Sequence, residues 1–143
     1  MRLVSWNCIG LGNPLKAEAV KDLLKVESLE ILMLQENKIE GDTLLEIRKL
    51  KWKKNARKVI SARGSSSVLA TLWSEDKFHL ERSFETQLWI FTELRHYSSK
   101  LSFSLFNLYV HVLYFEKKYC WQSLSDFLEI YSPKNIIPGI LES

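Results

Sequence analysis

Residues 1–14 read MRLVSWNCIGLGNP, an alternating run that ends in a polar amide and a glycine-punctuated turn. In an extended chain successive side chains point to opposite sides, so Leu3, Ser5 and Asn7 share one side while Val4 and Trp6 share the other. Asn7 therefore stands where a strand stops and a loop begins. In open α/β sheets ligands collect beyond the carboxyl ends of the strands, which makes Asn7 a site candidate; a turn-forming asparagine is the plain alternative.

Working outward, Asn13 and Pro14 read as a helix start, Asn capping free amides and Pro supplying the required φ at the first position. Ala17, Val20, Leu23 and Leu24 then form an apolar stripe at helical spacing. Residues 29–36, LEILMLQE, contain a continuous apolar run from Ile31 to Leu34, the pattern of a strand covered on both faces. Strand, helix and strand in that order imply a right-handed crossover and a parallel pair. Glu36 ends the second strand as Asn7 ends the first, so two polar groups converge on one edge.

Farther along, 41–50 (GDTLLEIRKL) reads as a short helix capped by Asp42 or Thr43. It runs into 49–58, KLKWKKNARK, with six basic residues in ten around Trp52. Lys51, Trp52, Lys53, Lys54 and Arg57 could track a phosphate backbone and stack a base; a solvated helix end and strand edge is the competing reading. The segments VLATLW (68–73), FHLE (78–81), LWIFTEL (88–94) and LSFSLFNLYV (101–110) read as successive strands joined as antiparallel hairpins. Trp121, Leu124, Leu128 and Tyr131, with Phe127 beside them, predict an amphipathic helix over 117–131 that Pro133 stops. Residues 135–143 begin another buried strand. Trp73, Trp89, Phe91, Phe103 and Trp121 are expected in the core.

With 143 residues and a net charge of +3, the chain suits one domain, and its charge alone argues for no particular partner. Its two cysteines, Cys8 and Cys120, follow no metal-ligand spacing and read as reduced thiols. No apolar run approaches the roughly 18 residues that would span a bilayer, and no signal segment opens the chain. A cytosolic or nuclear protein, with no membrane partner, is the expectation.

Five ordered pieces, SWNCIGLGNP, LMLQENKI, SSSVLATLW, NLYV and NIIPG, resemble the endonuclease/exonuclease/phosphatase superfamily, whose fold is that of deoxyribonuclease I. Within it they are most similar to the endonuclease domain of plant non-LTR, LINE-type retrotransposons. The resemblance implies an α/β (α+β) fold, a four-layer α/β sandwich of two mixed sheets with outer helices, and Mg²⁺-dependent hydrolysis of phosphodiesters in nucleic acid. It matches Asn7 to the asparagine that helps bind metal and phosphate, Glu36 to the metal-ligating glutamate, and Tyr109 to the tyrosine near the scissile phosphate. Mg²⁺ prefers oxygen donors and keeps several waters, which suits one carboxylate with a nearby amide.

Departures from the pattern are as specific as the matches. Family members continue with Gly-Asp-Leu-Asn where this chain has PGILES (138–143), so Ile140 stands in place of the aspartate and Glu142 in place of the asparagine. Isoleucine takes no proton, and losing a general base costs on the order of 10² to 10⁴ in rate. The later Asp-His pair of the family has no counterpart, and His79, His96 and His111 fall outside that motif. His111 also replaces a usual proline, and Ser67 and Val68 replace a usual glycine pair. Residues 1–143 thus read as a partial, truncated domain whose exposed strand edges could pair with a second copy. Three functions stay open: an active nuclease, a non-catalytic nucleic-acid-binding module using 49–58, and a retrotransposon-derived remnant without activity.

Overall fold

A computed structural model describes residues 2–8, 18, 21, 22, 25, 29–37, 52, 54–62, 67–110, 114–131 and 136–142. For 6–8, 36–37, 61–62, 67, 109–110, 114–117 and 136–142 the backbone course alone is considered. Among the described residues the elements with defined bounds run in the order β1 (Leu3–Cys8), β2 (Ile31–Asn37), β3 (Asn55–Ala62), β4 (Ser67–Ser74), β5 (Phe78–Glu85), β6 (Trp89–His96), β7 (Ser102–Val110), α1 (Tyr114–Tyr131) and β8 (Ile136–Glu142). They form two four-stranded sheets, β1-β2-β4-β3 and β5-β6-β7-β8. The mixed α+β architecture matches the fold class read from the sequence.

The Ile31–Leu34 run lies in an inner strand of its sheet, and each of its four residues is at most 1% exposed. Its β-branched and aliphatic side chains serve both faces of a strand that has neighbours on each side. β1 and β2 pair in parallel from Leu3 opposite Ile31 to Cys8 opposite Glu36, as the strand-helix-strand pattern requires. Of the helix expected from Asn13, Glu18, Lys21 and Asp22 are helical and the rest lies outside the described residues, as does the expected helix over 42–50.

The expected chain of hairpins is only half observed. β5, β6 and β7 form an antiparallel meander. β4 instead crosses to the first sheet, antiparallel to β2 on one side and to β3 on the other. Residues 55–62, inside and beyond the basic run, form that partner strand. Lysine and arginine on β3 masked its strand character, because an edge strand tolerates charge that a central one does not. β7 and β8 pair in parallel across α1, the second parallel unit of the chain.

The sheets face each other across one core cluster in which Ile31, Met33 and Trp73 of the first meet Phe78, Leu94 and Leu105 of the second. A second cluster gathers Trp89, Phe91, Phe106 and Leu108 around Cys120 and Phe127 of α1. Phe127 sits within 6 Å of the ring centroids of Phe84, Trp89, Phe91, Phe106 and Tyr131, so it is the anchor of the helix. The buried stripe is Cys120, Leu124, Phe127 and Leu128. Trp121 lies one residue, about 100° of helix rotation, off that stripe. It is 41% exposed, which corrects its assignment to the core. Trp73, Trp89 and Phe91 are buried as expected and Phe103 is half-buried.

Candidate functional site at the strand tips

Parallel pairing sends the carboxyl ends of β1 and β2 to the same edge of the molecule. β7 runs the same way across the sheet interface. Its Leu105 packs in the cluster of Ile31 and Met33, and Asn107, two residues on, reaches Leu34 and Gln35. β8 follows β7 in parallel. Four strand ends, at Cys8, Asn37, Val110 and Glu142, therefore gather at one end of the sandwich.

At that end the register sets Asn7 opposite Gln35 and Glu36 opposite Cys8. With strands about 4.8 Å apart and a rise of about 3.3 Å per residue, the Cα atoms of Asn7 and Glu36 lie about 6 Å apart. Tyr109 stands on β7 opposite Leu141, two residues beyond the asparagine that touches Gln35. Ile140 pairs with Leu108 and Glu142 with Val110 on the neighbouring β8. Three residues singled out from the sequence, Asn7, Glu36 and Tyr109, thus occupy one edge. Their donor types, an amide, a carboxylate and a phenol, are all oxygen-bearing and fit a hard, hydrated cation such as Mg²⁺ better than a soft one. Among the described residues no group of three or more His, Cys, Asp or Glu side chains could hold a metal ion.

Directly beneath this edge lies a polar network that the sequence reading assigned no role. Gln35 and Asn107, 1% and 0% exposed, meet across the sheet interface, Gln35 Nε2 donating to Asn107 Oδ1 at 2.8 Å. Asn107 Nδ2 donates to the backbone carbonyls of Leu34 at 3.2 Å and Ala70 at 3.0 Å, and to Thr71 Oγ1 at 3.3 Å. The Ser5 hydroxyl lies 3.3 Å from Gln35 Oε1 and 3.2 Å from its Nε2. Both amides are therefore satisfied, as buried polar groups must be. Their signal in the sequence was a polar residue at an inward position of an otherwise apolar strand, Gln35 after ILML and Asn107 after SLF.

The basic run lies elsewhere. β3 starts opposite the end of β4, with Asn55 paired to Ser74 and the Lys54 carbonyl accepting from the Glu75 amide. Five residue steps of β4, from Ser74 to Leu69, separate that level from the level of Asn7, about 17 Å of strand. Lys54 is exposed there, while Trp52 is 4% exposed and offers no face for a base to stack on. Arg57 donates from Nη2 to Asn55 Oδ1 at 2.9 Å, and burial pulls its pKa below the ordinary value. Lys51 and Lys53 lie outside the described residues. Lys54 and the start of β3 therefore lie at the end of the first sheet away from the strand tips, and Arg57 and Lys58 lie along the strand between the two.

A cleft of about 380 Å³ opens at the basic end, lined in part by Lys54, Trp73, Glu75, His79 and Tyr97. His79 tilts against Tyr97 with ring centroids 6.4 Å apart, and His96 Nε2 lies 3.8 Å from Glu30 Oε2. Neither histidine sits at the strand tips; His111 lies outside the described residues. Among the described residues no helix is long and apolar enough to cross a membrane.

No protein-family model and no curated protein matches this chain by sequence. Solved structures do match in fold. An endonuclease/exonuclease/phosphatase protein from Bacteroides vulgatus superposes with a TM-score of 0.66 at 12% identity, over 96% of this chain and 62% of that one. A mannosyl-6-phosphatase from Bacteroides thetaiotaomicron gives a TM-score of 0.64 at 12% identity, over 87% and 54%. The catalytic domain of human nocturnin, solved with a bound sulfate anion, gives 0.58 at 14% identity, over 99% and 63%. The chain thus spans between 54% and 63% of the length of these three neighbours, with the fold of the endonuclease/exonuclease/phosphatase proteins.

Proposed function

We propose that the strand tips carrying Asn7, Glu36 and Tyr109 are the metal and phosphate half-site of a retrotransposon-derived, Mg²⁺-using phosphodiesterase domain whose partner is nucleic acid. The reading rests on one observation above all, the parallel pairing that brings the ends of β1 and β2, with Asn7 and Glu36, to one edge of a fold shared with phosphoester-cleaving proteins. Glu36 and the Asn7 amide oxygen would hold the cation, which when bound supplies charge neutralisation at a phosphate oxygen. Tyr109 would donate from its phenol to the same phosphate, and the Asn7 amide N–H₂ would orient it. The neighbours' names span endonuclease and sugar phosphatase, so the fold sets the bond type more firmly than the leaving group.

In this reading the chain binds phosphate better than it cleaves it. Ile140, where related motifs carry an aspartate, can neither accept a proton from an attacking water nor aim one. Nucleic acid would approach the strand tips rather than the start of β3 at Asn55, about 17 Å away by strand rise. Self-pairing through an edge strand, β1 or β8, is compatible with the same geometry.

Two measurements test it. Mn²⁺ binding followed by electron paramagnetic resonance is expected for the wild-type chain and lost in Glu36→Gln. Nicking of supercoiled DNA with Mg²⁺ is expected to be at background in both. Equal Mn²⁺ binding by the two proteins would remove Glu36 from the site, and nicking that depends on Glu36 would show that Ile140 does not disable the chain.

A further inference from the structure

We propose that Gln35 and Asn107 are positioning residues: their hydrogen bond across the sheet interface holds the strand tip of Tyr109 against those of Asn7 and Glu36, coupling cation binding to phosphate binding. The inference rests on the half-site reading above and concerns how that site is assembled from two separate sheets.

The argument begins with what hydrophobic packing cannot do. The contacts of Ile31, Met33, Leu94 and Leu105 between the sheets are non-directional, and they hold the faces together without defining their relative position along the strands. Hydrogen bonds have a narrow distance window and an angular preference. Asn107 Nδ2 donates to carbonyls of two different strands, Leu34 on β2 and Ala70 on β4, so it ties the position of β7 to the backbone of the first sheet itself. Sliding β7 by one residue, about 3.3 Å, would break all of these bonds and turn the opposite set of side chains inward.

The placement of the pair is as pointed as its chemistry. Gln35 is adjacent in sequence to Glu36 and opposite Asn7 in register. Asn107 precedes Tyr109 by two residues on its strand. One 2.8 Å hydrogen bond between residues 72 apart therefore connects the three residues of the half-site. An apolar pair of the same size could fill this space, so the volume of the amides is not what packing alone requires. What they add is register.

The test uses the full chain and reads Mn²⁺ affinity with and without inorganic phosphate, alongside urea denaturation to establish the folded fraction. In the wild type, phosphate is expected to tighten Mn²⁺ binding by about tenfold, a usual size for coupling between two sites. In Asn107→Leu the Mn²⁺ affinity without phosphate stays at the wild-type value, because its donors sit within one sheet, while the phosphate effect disappears. Asn107→Ala, which removes the same bonds without adding the bulk of leucine, provides the same comparison should Asn107→Leu not fold. Coupling that survives in a folded variant overturns the proposal, as does a loss of Mn²⁺ affinity and coupling together in step with stability. A wild type that binds no Mn²⁺, or a Glu36→Gln that binds it equally, defeats the half-site reading instead, and this proposal with it.

Discussion

Replacing Asn107 with aspartate changes one NH₂ to one oxygen and nothing in shape, so it isolates the chemistry of the sheet interface. In the native chain the Nδ2 group faces three acceptors, the carbonyls of Leu34 and Ala70 and the hydroxyl of Thr71, at 3.0 to 3.3 Å. An ionised carboxylate there would put an oxygen against the two carbonyls at a fully buried position, whereas a protonated one could still donate to a carbonyl and accept from Gln35 Nε2. Burial and the surrounding oxygens thus favour the neutral acid. The folded state of Asn107→Asp then binds its proton more tightly than the unfolded state. Stability is complete below the pH where an exposed carboxyl titrates and falls as pH rises, by about 1.4 kcal/mol per unit, until the folded carboxyl itself ionises. Three units of pH correspond to about 4 kcal/mol, a large part of the 5–15 kcal/mol typical of a domain. Asn107→Leu, by contrast, strands one Gln35 proton at a cost of about 1–3 kcal/mol that does not vary with pH relative to wild type. Urea midpoints of the three proteins between about pH 4.5 and about pH 7.5 decide the matter. An Asn107→Asp deficit that is constant with pH, or that shrinks as pH rises, would refute the geometry.

Phe127→Ala removes the ring at the centre of five aromatic contacts and is expected to cost about 3–5 kcal/mol, with loss of helical circular dichroism at lower urea than loss of sheet signal. Arg82 pairs with the 5% exposed Glu93 through two bonds of 3.2 and 3.1 Å and also donates to the Tyr131 carbonyl at the end of α1. Arg82→Ala should therefore destabilise by about 2–3 kcal/mol, while Arg82→Ala combined with Glu93→Gln recovers part of that loss in a thermal melt. Burial raises the pKa of the Cys120 thiol, so at mildly alkaline pH it should react with a disulfide reagent only after unfolding in a Cys8→Ala background. Lys100, at a positive φ of 62° in the β6–β7 turn, should yield a variant more stable by about 0.5–1 kcal/mol when changed to glycine, read as a rise in urea midpoint.

The strand framework under the proposed half-site could be placed from local pattern. Asn7 and Glu36 ended their strands because a polar residue closed an apolar run, and the intervening helix start implied that the two strands run side by side in the same direction. The register agrees. The place of the basic run was not legible for an equally local reason: charge density in sequence says nothing about which end of a sheet it will occupy, and Trp52 among lysines is buried. The helix over 114–131 was legible as a helix, but the choice between Trp121 and Cys120 for its buried face depends on which rings wait on the sheet.

By itself the sequence determined the alternation that makes each strand, the parallel entry of β1 and β2, and the polar residues at their tips, since period and punctuation are properties of neighbouring residues along one chain. Only the tertiary structure decided that β4 leaves the hairpin series, that β3 joins it, and that Gln35 and Asn107 meet from positions 72 residues apart. Pairing between distant strands is selected by complementarity across two surfaces, and neither surface exists until the chain has folded.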